Sequence, residues 1–195
     1  MRGLIERYVR EMVKIPSTSN TEMEKNCADY IAEELAKQPY FKEHPEQTGK
    51  YLLPEDSLGR SVPWGLVKGN GGFRKTIILT GHYDVVDTEE YGNERALAYD
   101  VEKWENLGKS GNVLPGMPDE VKEDFLSGDW MFGRGTADMK GGLSVGLVLL
   151  DWYGKIVAEA EGKASSVAVS EAEVASELGD ASGISGNLLF VTVPD

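Results

Sequence analysis

The sequence predicts an α/β layered fold: a mostly parallel sheet with one β-hairpin, and helices on both sheet faces. Three observations carry this. Strand-type runs alternate with helical-period segments along the chain, the pattern of layered α/β domains. The run Thr76–Thr80 is apolar almost throughout, as suits a strand buried on both faces. A glycine-rich turn, Gly133-Arg134-Gly135, leads past Asp138 into a strongly apolar helix.

Near the start, Leu4, Ile5, Tyr8, Val9, Met12 and Val13 fall on one stripe at helical spacing. Pro16 and the Ser17-Thr18-Ser19 run end that helix. A second helix is expected from about Glu22 to Ala36, with Asn20 or Thr21 as its N-cap and Pro39 as its stop. Residues 41–63 read as loop. Trp64–Lys68 and Thr76–Thr80 flank Gly69-Asn70-Gly71-Gly72, the composition of a hairpin connection. The stretch 84–130 is long, polar and spiked with aromatics, with a short helix around Asp119–Leu126; loops of this length tend to be functional. The apolar helix after Asp138 should reach about Tyr153. Residues 159–186 are rich in Ala, Ser, Glu and Gly and contain no aromatic, which reads as a flexible surface insertion and not as a second domain. Asn187–Val193 is another strand run. No internal repeat is present.

The 195 residues suit one domain with a real core, and the 41% apolar and 27% charged shares are those of a soluble globular protein. Thirty-three acidic against 20 basic residues give a net charge of −13 with no basic run. Such a chain repels nucleic acid and anionic membrane surfaces. The single cysteine, Cys27, excludes an internal disulfide and a cysteine-built zinc site, and its helical-period neighbours mark it as a small buried side chain. Met1 to Ile15 interleaves Arg and Glu with apolar residues, unlike a signal peptide, and no run reaches the ~20 apolar residues of a membrane span. These features predict a cytoplasmic protein.

Two residues stand out chemically. His82 directly follows the Thr76–Thr80 strand, at the carboxyl end where open α/β sheets gather ligands. Gly81 leaves room beside it, and Asp84 two residues on can hold one ring nitrogen so that the other faces a metal. A strand-end His–Asp turn explains the same residues. Asp138 precedes a helix, where free N–H groups favour an ionised carboxylate; a plain N-cap explains that too. The glycine pattern around it fits neither a dinucleotide loop nor a Gly-Lys-Ser/Thr phosphate loop. His44, in Glu43-His44-Pro45-Glu46, is expected to be exposed and without a role.

Leu79-Thr80-Gly81-His82-Tyr83-Asp84-Val85-Val86, followed by Phe132-Gly133-Arg134-Gly135-Thr136-Ala137-Asp138-Met139-Lys140-Gly141-Gly142, resembles the two leading signatures of the zinc aminoacylase, desuccinylase and glutamate-carboxypeptidase family. Ile15-Pro16-Ser17 and the run Leu188–Asp195 also fit. Asp87, Tyr91-Gly92, Ser127-Gly128 and Trp130 look most like its arginine-utilisation branch. The resemblance covers most of the chain except 159–186. It implies an incomplete zinc-peptidase catalytic domain: residues 1–195 would be the N-terminal part of one catalytic domain. His82 would be a ligand of one metal, Asp138 the carboxylate bridging two, and Asp84 the catalytic-site residue orienting the His82 ring. It also implies a cis Asp138–Met139 peptide. Two Zn²⁺ ions would serve in the complete protein, with Co²⁺ or Mn²⁺ as alternatives. The reaction would be cleavage of an amide or peptide bond in an N-acyl amino acid or small peptide.

The family's paired glutamates would follow Asp195, and its later acidic ligand, final histidine and lid domain are also lacking here. The 195 residues are therefore expected to bind zinc weakly if at all, to be inactive alone, and to show either self-association, as a homo-oligomer, or marginal stability. The alternative is a complete non-catalytic binding or structural module derived from that fold.

Overall fold

Helix α1 (Arg2–Val13) forms because its apolar stripe has a core to face: Tyr8, Val9, Met12 and Val13 are buried, while Arg2 pairs with Glu6 across one exposed turn. Helix α2 (Glu24–Lys37) buries Cys27, Ala28, Ile31 and Leu35, so Cys27 is the small core side chain its spacing indicated. Neither Asn20 nor Thr21 caps α2. Instead the Glu24 carboxylate reaches back and accepts from the Asn20 N–H at 2.6 Å. The computed structural model describes residues 1–71, 75–160 and 186–194.

The segment read as loop carries structure. Helix α3 (Pro39–Glu43) starts at Pro39, whose missing N–H costs nothing at a helix start. Strand β1 (Thr48–Leu52) then pairs antiparallel with β2 (Ser61–Lys68), so the hairpin lies here and not around Gly69–Gly72. Half-exposed and polar, β1 lacks the apolar alternation that marks a strand in sequence.

Strand β3 (Thr76–His82) does not pair with β2. Strand β4 (Asn187–Val193) inserts between them, antiparallel to β2 and parallel to β3, giving the order β1-β2-β4-β3. The class is α/β with one open sheet, and among the described strands of that sheet only β3 and β4 pair in parallel, so the sheet is not mostly parallel as expected. The apolar run Leu188–Val191 takes the central place, bonding on both sides. Strand β3, expected to be buried on both faces, is an edge: Ile77 is 67% and Ile78 58% exposed.

Between β3 and the turn that begins at Thr136 lie α4 (Val101–Lys109), capped by Asp100 accepting from the Lys103 N–H, and α5 (Asp119–Ser127). With the tight turns of Glu89–Leu97 they form a satellite core in which Trp104, Phe125 and Phe132 meet mostly edge to face. Helix α6 (Gly141–Ala160) runs past the expected Tyr153. Of the expected insertion 159–186, residues 161–185 lie outside the described residues.

The helices α1, α2, α3 and α6 share one core with Val67, Tyr83 and Phe190. Along β2 every second residue (Ser61, Pro63, Gly65, Val67) is buried toward that core, while Val62, Trp64 and Leu66 on the opposite face are only half-buried. With the turn before it, α6 is long and apolar enough to cross a membrane, contrary to the sequence expectation, because its glycines and few charges do not interrupt the run. Its Leu143, Leu147, Leu150 and Val157 instead bury in the core.

Candidate active site

Parallel pairing sets the site. His82 ends β3 opposite Val193 at the end of β4, and the Tyr83 N–H continues the ladder to the Val193 carbonyl. The carboxyl ends of two parallel strands therefore open side by side, the position at which α/β sheets bind ligands.

The Ile15–Ser19 segment holds the chain just past His82. The Val85 N–H donates to the Ser17 carbonyl and the Ser19 N–H to the Val85 carbonyl. The Ser17 hydroxyl donates to the Tyr83 carbonyl at 2.6 Å, and the Ser19 hydroxyl to Asp84 Oδ2 at 2.5 Å. Asp84 is buried by this clamp, and its Oδ1 lies 3.1 Å from His82 Nδ1.

On the other side stands the wide irregular turn Thr136–Lys140, with a cis Asp138–Met139 peptide as the resemblance implied. Two glycines allow this turn to sit against β3. A Cβ on Gly81 would lie 2.4 Å from the Met139 methyl, and one on Gly141 2.3 Å from the Thr136 carbonyl oxygen. The turn carries Asp138 to His82: Oδ1 lies 3.0 Å from Nε2. Asp138 is not the N-cap of α6, since α6 begins three residues later, at Gly141.

Burial lowers the His82 pKa, but the carboxylates of Asp138 and Asp84 on its two nitrogens outweigh it, and the net shift is upward. The three residues line a cleft of about 350 Å³ with Ser19, Val86 and Arg134. The Arg134 guanidinium pairs with Glu90 and stacks over Tyr91, tying the tight turns of 89–97 to the rim. Among the described residues no group of three or more His, Cys, Asp or Glu side chains is gathered as a metal site. His44 is half-buried, not exposed, because its ring stacks on Tyr40 at 4.6 Å between centroids; it lies in another part of the chain from the cleft lining.

Sequence reading missed Ser19 and Lys140. The Lys140 ammonium is fully buried and donates to the carbonyls of Met12 at 3.0 Å and Ile15 at 2.8 Å. Burial lowers its pKa. A lysine just after the glycine-rich turn gives no signal of this, because its partners lie at the far end of the sequence.

The chain is 33% identical to Protein RocB of Bacillus subtilis over 146 residues, which is 75% of this chain and 25% of RocB. It is 38% identical over 140 residues to YqjN, an uncharacterized protein of the same organism, covering 72% of this chain and 24% of YqjN. Among solved structures, an M20 family metallo-carboxypeptidase, Sso-CP2 of Sulfolobus solfataricus, superposes with a TM-score of 0.50 at 17% identity, over 97% of this chain and 30% of that one. The chain is a relative of RocB with the fold of the M20 metallopeptidases. No family model matches it. The chain spans about a quarter of the length of the curated relatives it matches.

Proposed function

We propose that the protein is part of an M20-type hydrolase that cleaves an amide or peptide bond in an N-acyl amino acid or small peptide. One observation carries this reading: His82 turns one ring nitrogen to a buried carboxylate, Asp84, and the other to an exposed one, Asp138, at the open end of the sheet. A ligand histidine needs this arrangement, because the Asp84 contact fixes the ring and leaves Nε2 to coordinate. An imidazole nitrogen and a carboxylate oxygen facing each other across the mouth of a cleft fit Zn²⁺, with Co²⁺ and Mn²⁺ as alternatives.

His82 and Asp138 would hold the metal, with Asp84 orienting the ring. When bound, the ions polarise a substrate carbonyl and make water a better nucleophile. His82 would offer Nε2 to the metal, while the buried Asp84 would hold the Nδ1 proton in place. Among the described residues the cleft brings together two such ligands, fewer than the roughly three that a catalytic zinc takes from protein. These 195 residues alone are therefore assigned weak metal binding and no turnover. The similarity to RocB supports a place in the arginine-utilisation branch, and the acidic, single-cysteine composition supports a cytoplasmic location.

The test is titration of the chain with Co²⁺, read from its visible absorption. Wild type should bind, and His82→Ala and Asp138→Ala should each abolish binding. Equal binding by all three would refute the reading and favour a non-catalytic module.

A further inference from the structure

We propose that two copies of the chain pair through the β3 edge about a two-fold axis, and that Lys75 of each copy then meets Asp138 of the other at the mouth of the cleft. Strand β3 ends the sheet, and Thr76, Ile77, Ile78 and Thr80 are exposed. Among the described residues no strand and no backbone hydrogen bond reaches its outer side. An open edge is a template for another strand, and proteins blunt it with charge, proline or a bulge. The opposite edge, β1, carries Lys50. The run Thr76–Gly81 carries no charge and no proline, and its register against β4 is unbroken.

The ladder to β4 fixes which backbone groups face out. The Asn187 N–H donates to the Lys75 carbonyl and the Tyr83 N–H to the Val193 carbonyl. In that alternation residues 77, 79 and 81 turn their amides to β4, and Thr76, Ile78 and Thr80 turn theirs outward. The run Thr76-Ile77-Ile78-Leu79-Thr80 also reads alike in both directions. Laid antiparallel on a second copy with Ile78 on the axis, it sets Ile78 against Ile78, Thr76 against Thr80 and Ile77 against Leu79. The first two pairings join residues whose N–H and C=O groups face out, so both groups of each residue find partners. Threonine meets threonine and aliphatic meets aliphatic, the self-complementary contact that a two-fold dimer requires. A shift by one residue would set outward amides against inward ones.

A net charge of −13 opposes the meeting of two copies, so the contact has to bring unlike charges together. This register does so. It sets Lys75 opposite Gly81 of the other copy, and residues directly opposite share a face of the sheet. On that face Gly81 lies against Met139, in the turn that carries Asp138. Lys75 is exposed and forms no ion pair among the described residues, and the Asp138 side chain is 86% exposed. The four-carbon stem of Lys75 reaches past the glycine toward the carboxylate, once on each side of the axis. Each cleft thereby takes a cation from the other copy.

Sedimentation of the metal-free 195-residue chain over a concentration series tests this independently of the hydrolase reading. Wild type should reach a dimer and nothing larger. Lys75→Glu should weaken dimerisation about tenfold, because the two-fold axis repeats the loss, and adding Asp138→Lys to it should restore the dimer. Cysteine linking gives a second readout, since the native Cys27 is buried. Ile78→Cys should oxidise to a linked dimer, because hydrogen-bonded antiparallel neighbours have Cα atoms about 5.5 Å apart. Thr76→Cys should not link to itself, since its equivalent lies four residues, about 13 Å, along the opposite strand. A monomer at every concentration, growth beyond a dimer, a Lys75→Glu chain that dimerises like wild type, or equal linking by the two cysteine variants overturns the proposal.

Discussion

The buried ammonium of Lys140 donates to the carbonyl of Ile15, 125 residues earlier in the chain. Through that bond the two signature segments form a closed ring. Asp138 is two residues from Lys140; Lys140 holds Ile15; Ile15 leads to Ser19; Ser19 holds Asp84; and Asp84 holds His82, which faces Asp138. The ring places a histidine and an aspartate 56 residues apart within hydrogen-bonding distance, with the start of the chain as the connecting piece.

Lys140→Met should open this ring. The apolar chain fills similar space, but the Met12 and Ile15 carbonyls lose a charged donor in a buried place. A buried polar group left unpaired costs about 1–3 kcal/mol. The expected result is a lower urea midpoint with an unchanged slope, and weaker Co²⁺ binding. A variant as stable as wild type would show that α1 and the Ile15–Ser19 segment hold without this tie.

Gly141→Ala tests the turn directly. The new methyl would sit 2.3 Å from the Thr136 carbonyl oxygen, a backbone atom that cannot swing aside. The Thr136–Lys140 turn must open, at about 1–3 kcal/mol for an overpacked site. Asp138 should move away from His82. Loss of the nuclear Overhauser contacts between the His82 ring and residues 138–139 would report this, and their retention would contradict it.

Glu24 predicts a pH dependence. It is fully buried, with Oε1 bonded to the Asn20 N–H and 3.6 Å from Arg60, and with Oε2 lacking a hydrogen-bond partner. Burial raises its pKa above the ordinary 4.5, and the Asn20 N–H and Arg60 offset only part of this. The folded state thus binds the proton more tightly than the unfolded chain. The associated stabilisation is complete below the unfolded value and is lost as pH rises through the folded one. Glu24→Gln cannot ionise and keeps an oxygen for Asn20. Its stability relative to wild type should rise as pH climbs through that window and then level off. Urea midpoints at a series of pH values measure this, and a difference that is flat with pH would refute it.

What the sequence revealed follows from where the determining contacts lie. Helix α1 was legible in its stripe and β4 in its apolar run, because each is a local pattern. The line through His82, Asp84 and Asp138 was legible as two short signatures. The pairing of β2 with β1 was not, because β1 is polar, and neither was the insertion of β4 between β2 and β3. That insertion depends on which strand competes best for the centre, and Leu188–Val191 wins with apolar residues on both faces. Ser19 and Lys140 were missed for a related reason: their partners are Asp84 and backbone carbonyls far along the chain, and no spacing rule connects them.

The uncovered sheet face gives a last prediction. Trp64 and Leu66 on β2, Leu189 and Val191 on β4, and Ile78 on the β3 edge alternate with the residues buried under the helices, so they lie on the opposite face. No described helix packs there, and β3 carries no charged residue before His82 to discourage edge pairing. Apolar surface of this kind draws in another chain. We propose that the isolated protein self-associates through it. Ile78→Lys places a charge on this face at the exposed edge, where substitutions usually change folding stability within about 0.5 kcal/mol. Sedimentation should show concentration-dependent association for wild type and a monomer for Ile78→Lys with a similar melting temperature. A wild-type chain that stays monomeric across the concentration series would overturn the expectation.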